Sequence, residues 1–421
     1  MKNSFFLSLA LGTGWLISPE SLVIAGNAAG QMGVLTIPVL AIVAILLGIS
    51  GKCIQQAKLV GNTGSDILLL DKLTGSIPAT AILLTSCVPL TILAATALLV
   101  SCGYTFNEVF LYWFPNFGFS FLLLALLTLI QLLPERLLLR VQLGFVLTTV
   151  TALLFLLLYG ISSAHPVMKS VQHSPEVTTF TSALLFLLFA GSSLTEKKQS
   201  PLLIPIAGLL LFSLWTVTSL QYVSPQRLAS STIPYMTVAR KIMGDPGRQI
   251  MGVAVITGSC AAITTLLLIC RRILNNQTSS DNSSRTLLSP GKQRWLLPPL
   301  LAIISGTLMA TGLAGDELLE VLLRGALILW LFQYTCLCLA ALLQIRQEKQ
   351  QLTMAGSVCC IVLLFSLSFL IFKDPHRSEL LIFIISMFAA ANIAAVGLFY
   401  INQRNTSKES KETTSTKENT P

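Results

Sequence analysis

Two stretches of this chain put polar chemistry where an apolar setting ought to exclude it. The first is Gly12-Thr13-Gly14-Trp15, followed by Pro19 and the carboxylate of Glu20, all within an apolar run from Phe5 to Gly26. The second is Phe189-Ala190-Gly191-Ser192-Ser193, where the apolar run that starts at Phe180 fails. Glycine weakens a helix interior by about 1 kcal/mol and proline by about 3. In a bilayer, freed backbone groups are tolerated only where they face protein or a wet cavity. N–H groups freed after Gly14 would carry the positive end of a helix dipole and suit a carboxylate. Carbonyls freed between Ala190 and Ser193 would suit an ammonium group or a cation. Together they suit a zwitterion, for which amino acids are the natural candidates. The expected substrate-binding residues are therefore Gly12, Thr13, Gly14, Trp15, Glu20, Phe189, Ala190, Gly191, Ser192 and Ser193.

Glu20 carries the sharpest expectation. A carboxylate at bilayer depth costs about 2.5–3.5 kcal/mol on insertion scales, so it should face a cavity or a partner. The alternative is a solvated position near the outer surface. Thr148, Thr149, Thr151, Thr257 and Ser259 could supply hydroxyls to a coupling ion. The competing reading is that membrane hydroxyls bond to their own helix or to a neighbouring one. Trp15, Phe189, Trp330 and Tyr334 either line a pocket or pack. No catalytic set is visible: His165, His173 and His376 lie apart in connecting loops, and most of the nine cysteines sit in apolar runs as small hydrophobes. No enzyme, metal centre or cofactor is expected.

The elements that must position these residues are membrane helices. The chain has 421 residues, 53% hydrophobic and only 11% charged, with mean hydropathy +0.77. A soluble domain has about 25% charged residues. Roughly twelve runs are long enough to cross about 30 Å of hydrocarbon. Their approximate limits are 5–26, 33–51, 77–102, 117–133, 137–160, 178–195, 202–223, 249–270, 295–313, 321–344, 355–373 and 379–401. With the N-terminus in the cytoplasm, 19 of the 27 Lys and Arg fall on the cytoplasmic side. That asymmetry fits an even number of spans, both termini inside, in a cytoplasmic (inner) membrane. The basic charge is thus explained without nucleic acid. Residues 221–248 read as an external helical hairpin, and the Ser/Thr/Lys/Glu-rich tail 403–421 as disordered and cytoplasmic.

The two interrupted spans are the first and the sixth, each opening a set of five. Interruptions in corresponding positions of two halves point to a transporter's midplane site. The expected organisation is a first repeat over 1–164, a second over 165–350, two further spans over 351–402, and the tail. The residues also resemble the amino acid–polyamine–organocation superfamily of permeases. The resemblance rests on Gly12-Thr13-Gly14-Trp15, on Gln56-Ala57-Lys58 through Gly64-Ser65-Asp66 and Gly75, and on Arg140-Val141-Gln142. It extends to Phe189-Ala190 with Glu196 and Pro201, to Pro234, Ala239, Gly244 and Gly247, and to Cys270-Arg271. It implies an all-α five-plus-five inverted-repeat fold of leucine-transporter type with two extra C-terminal helices. It also implies secondary active transport of amino acids or related amines by alternating access, as symporter or exchanger, coupled to H⁺, Na⁺ or an exchanged amino acid. Where proton-coupled relatives can carry a lysine in the fifth span, this chain has Thr148-Thr149-Val150-Thr151. The alternative to a permease is a non-transporting amino acid sensor or transporter-like subunit.

Overall fold

The structure is a computed structural model and describes residues 9–61, 65–163, 175–189, 202–276, 290–312, 317–347 and 353–417. Among them the fold is helical, without strands. After helical residues 9–14 come α1 (Pro19–Met32), α2 (Thr36–Val60), α3 (Asp66–Thr74) and α4 (Ser76–Val109). Then follow α5 (Asn116–Gln131), α6 (Glu135–Ser162), α7 (Pro175–Leu188), α8 (Leu203–Tyr222), α9 (Pro225–Ala229) and α10 (Pro234–Met243). The chain closes with α11 (Asp245–Asn276), α12 (Pro290–Ala310), α13 (Glu317–Gln347), α14 (Thr353–Lys373) and α15 (Arg377–Lys417).

Local chemistry sets several of these limits. Pro19, Pro225 and Pro234 stand in the first turn of their helices, where a missing N–H costs nothing. Gly75, at φ 86, turns the chain between the short helix α3 and the long helix α4, a backbone region that other residues rarely enter. Each of the twelve apolar stretches read from the sequence carries a helix. Eight helices among the described residues are long and apolar enough to cross a membrane. One of these is the run Pro19–Val60 of 42 residues. At 1.5 Å per residue it is about twice the hydrocarbon thickness, and the chain redirects within it at Gly33, where φ is 59.

The centre is built by α4, α11 and α13. Of their apolar windows, 72%, 78% and 72% are buried, against 17% for α15. Helix α11 packs on α6 and α4, α13 on α4 and α2, and α8 on α2 and α1. The expected hairpin over 221–248 is present as α9 and α10, which lie against α1: a Cβ on Gly30 would come within 2.3 Å of the Ala229 nitrogen, and one on Gly26 within 2.6 Å of Pro234. The tail departs from expectation. Helix α15 runs to Lys417, through residues whose composition reads as disordered. Lys and Glu are good helix formers, and a long apolar helix is already nucleated ahead of them.

Candidate functional site

The first span is broken, as its composition requires, but four residues later than the glycines suggest. Helical residues 9–14 include Gly12, Thr13 and Gly14; the turn follows at residues 15–17, with a bend at Ser18. The cause is Pro19. A proline ring clashes with the carbonyl four residues before it, here that of Trp15, and its own nitrogen carries no proton. The two glycines serve close packing instead. A Cβ on Gly12 would lie 2.0 Å from Ile204 Cδ1 in α8, and one on Gly14 would lie 2.1 Å from Thr265 Oγ1 in α11 and 2.8 Å from Gln142 Nε2 in α6. Thr13 turns its hydroxyl back onto the Leu9 carbonyl at 3.0 Å. The expectation that Gly12-Thr13-Gly14 forms the break is corrected accordingly.

The start of α1 is largely satisfied from within. Ser18, extended at φ −67 and ψ 155, is the N-cap, and its Oγ accepts from the Ser21 nitrogen at 3.2 Å. The Leu22 nitrogen reaches the Ser18 carbonyl at 3.2 Å. The Ser21 hydroxyl donates to the Trp15 carbonyl at 3.0 Å. Glu20 sits in this first turn, half-buried, so a fixed carboxylate already faces the positive end of the helix. Beyond it lie Tyr235 of α10 and Glu320 of α13, both close enough to feel its charge. Glu320 is mostly exposed and bonds Arg324 at 3.0 Å; Arg324 in turn bonds the buried Asp374 at 2.7 Å. Arg324 thus joins an exposed acid at the head of α13 to a buried one in the turn after α14.

The break in the first span meets the end of α7. Helix α7 ends at Leu188, two residues before Ala190, and the indole nitrogen of Trp15 donates to the Leu187 carbonyl at 3.2 Å. Trp15 (2% exposed) and Phe189 (1%) are buried. Phe189 packs on Gly208 of α8, where an added Cβ would approach its ring to 2.6 Å; the Leu16 methyls lie 3.0 Å from the same point. On the other side, Gly258 of α11 comes so near the break that a Cβ there would lie 2.7 Å from the Ile17 carbonyl. Ala190, Gly191, Ser192 and Ser193 lie outside the described residues. Trp330 is buried in α13. Tyr334 is anchored away from the break, its hydroxyl 2.6 Å from Ser50 Oγ and 3.2 Å from the Leu47 carbonyl of α2.

Of the expected ion-coupling hydroxyls, two meet across α6 and α11. Thr149 and Thr257 pair at 2.8 Å, and each also bonds its own helix, at Phe145 and Val253. Thr148 bonds the Gly144 carbonyl, Thr151 is exposed, and Ser259 is buried. What fills the crossing of the first, fifth and eighth spans is a residue without an assigned role in the sequence reading. Gln142, fully buried, directs Nε2 at Thr265 Oγ1 (2.8 Å), the Ala261 carbonyl (3.0 Å) and the Ala10 carbonyl (3.4 Å). Thr265 Oγ1 passes a further bond to the Leu11 carbonyl at 3.4 Å. The signal was available: a glutamine inside an apolar run must find partners once buried. Among the described residues no three His, Cys, Asp or Glu side chains are grouped to hold a metal ion.

A helix leaves its last four carbonyls without intrahelical partners. At the first-span break the chain supplies donors itself: Ile17 N–H to the Thr13 carbonyl, and Ser18 N–H and the Ser21 hydroxyl to the Trp15 carbonyl. Trp15 does the same for Leu187 at the end of α7. Glu20 adds a formal negative charge at the start of α1.

No family model matches the sequence, and no curated protein matches it. Among solved structures, three of variants of the manganese transporter from Eremococcus coleocola superpose with TM-scores of 0.60, 0.61 and 0.60. Each is 14% identical in sequence, and each match covers 96% of this chain and 95% of that one. At that identity the likeness is one of fold: over nearly its whole length, this chain is folded like that transporter.

Proposed function

We propose that the protein is a secondary transporter of small ammonium-bearing molecules, amino acids or related amines, working by alternating access in the cytoplasmic membrane with both termini inside. The observation that carries this reading is the Trp15–Leu187 hydrogen bond, which ties the break in the first span to the last turn of α7, just before the expected break of the sixth span. The first-span break and the expected sixth-span break lie five stretches apart, which supports an inverted five-plus-five repeat and agrees with the resemblance to the amino acid–polyamine–organocation superfamily. The ammonium end of the substrate is the better supported of the two. Glu20 carries a formal negative charge two residues after the first-span break, and the helix start expected to take a carboxylate is occupied by Ser18, Pro19 and Glu20 of the chain itself.

A second reading is transport of a divalent metal ion, favoured by the shared fold with a manganese transporter. The described residues supply one carboxylate at the break, Glu20, where a metal centre would draw on several. The two readings separate in proteoliposomes holding the whole chain. Replacing Glu20 by Gln should weaken binding of a cationic amine about 10- to 100-fold, the worth of one charge-assisted hydrogen bond. An unchanged affinity for the amine in Glu20→Gln would remove this assignment.

A further inference from the structure

Away from the break, a cavity of about 430 Å³ opens where α3 meets the last turns of α13. That volume is within the range of about 300–1,000 Å³ found for ligand clefts. Local chemistry builds it. Helix α3 has 9 residues, well short of the roughly 20 needed to cross a bilayer. The Lys58–Asp66 ion pair fastens its start to the end of α2. Ile67, Leu69 and Leu70 are buried, and the helix packs on α4 and α13. Lys72 and Leu73 are left exposed at its far end. From α13 come exposed Leu343, half-buried Gln344 and, in the last turn, exposed Arg346. Leu339, one turn before Leu343 on the same face, is exposed too, so apolar surface continues from the cavity along the span.

The lining is divided by chemistry. Among the described residues its charged members are Lys72 and Arg346, both positive, with the Gln344 amide beside them; Leu69, Leu73 and Leu343 are apolar. The acids of α3 stand elsewhere: Asp66 pairs with Lys58, and Asp71 is outside the lining. Lys72 is held in place, its Nζ donating to the carbonyl of Gly61, the C-cap of α2, at 3.2 Å. Its ammonium keeps two further protons for another acceptor. Arg346 brings a planar fork that matches phosphate oxygens. A free phosphate would use the cations and leave the leucines in water. A zwitterionic lipid would bring a third cation to the other two.

We propose that this cavity binds an anionic phospholipid of the cytoplasmic leaflet. Its phosphate is held between Lys72 and Arg346, and its acyl chain lies on Leu73, Leu343 and Leu339. Basic pockets between spans on the cytoplasmic side have the chemistry to hold such headgroups. The bound lipid joins α3 to α13. The site does not depend on what the protein transports, and failure of the transporter reading leaves it standing.

The test uses the whole chain in a neutral detergent. It is titrated with dioleoyl phosphatidylglycerol, dioleoyl phosphatidylcholine or inorganic phosphate, and retained lipid is read by native mass spectrometry. The wild type should hold one phosphatidylglycerol in preference to phosphatidylcholine, and a large excess of inorganic phosphate should not displace it. Lys72→Gln combined with Arg346→Gln should weaken phosphatidylglycerol about thirtyfold, the worth of two cations near a membrane surface. Arg136→Gln combined with Arg140→Gln removes the same charge from exposed positions on α6 outside the cavity, and should leave retention unchanged. No weakening in the Lys72 and Arg346 variant, or equal weakening in both double variants, would overturn the proposal. So would equal retention of the two lipids, or displacement by phosphate, which would mark a site for free anions. If the double variant does not fold, Arg346→Gln alone carries the comparison, and the wild-type competition is decided without any variant.

Discussion

The break in the first span shows how residue chemistry and packing divide the work. Pro19 sets where the helix stops, Ser18 caps the restart, and Glu20 charges it. Each of these was legible, since Ser-Pro-Glu is a helix-start signature. The glycines misled because glycine serves two ends, freeing the backbone and admitting a neighbour, and only the tertiary fold tells them apart. At Gly14 it admits Thr265 and Gln142. Gly14→Ala should cost about 1–3 kcal/mol of stability through overpacking, seen as a lowered unfolding midpoint; a midpoint at or above wild type would contradict that packing. Trp15→Phe keeps the ring but removes the donor to Leu187. With that donor to the Leu187 carbonyl gone, a loss of about 1–3 kcal/mol is expected, and a fully neutral substitution would show that the bond does not hold the first-span break to α7.

At the level of elements, the apolar stretches were readable because hydrophobic length is a one-dimensional signal and each stretch became a helix. Contacts across the bundle were not, because they pair residues far apart in sequence. The Arg324–Asp374 bond is an instance: it ties α13 to the turn after α14, and its acid is fully buried. Arg324→Ala leaves that carboxylate without its partner, and breaking a buried pair from one side costs about 3–5 kcal/mol. Thermal unfolding of Arg324→Ala should show a loss of that order, and Asp374→Asn should lose less, since the amide removes the buried charge as well as the bond. Equal losses would point to packing rather than charge. The seam between α6 and α11 was half legible. Its threonines were noticed as hydroxyls on facing spans, yet they pair with each other and with their own helices. The seam's centre is Gln142.

For the whole molecule, the fold matches that of a solved manganese transporter at 14% identity, a level at which the site can be rebuilt for another cargo while the scaffold persists. The site read from the sequence was a zwitterion site with a carboxylate end at Gly12-Thr13-Gly14 and an ammonium end near Ala190. The ammonium end near Ala190 lies outside the described residues, and the structure places a carboxylate of the chain's own, Glu20, at the restart of the first span. Both readings of the cargo are therefore cationic at the break, and they differ in whether it carries an organic body. Counterflow in proteoliposomes, loaded with an unlabelled amino acid and amine mixture or with Mn²⁺, tests this most directly. The account predicts accumulation of labelled amino acid or amine that Mn²⁺ does not drive and that Glu20→Gln diminishes. Accumulation of labelled Mn²⁺ in the same vesicles, without organic counterflow, would contradict it.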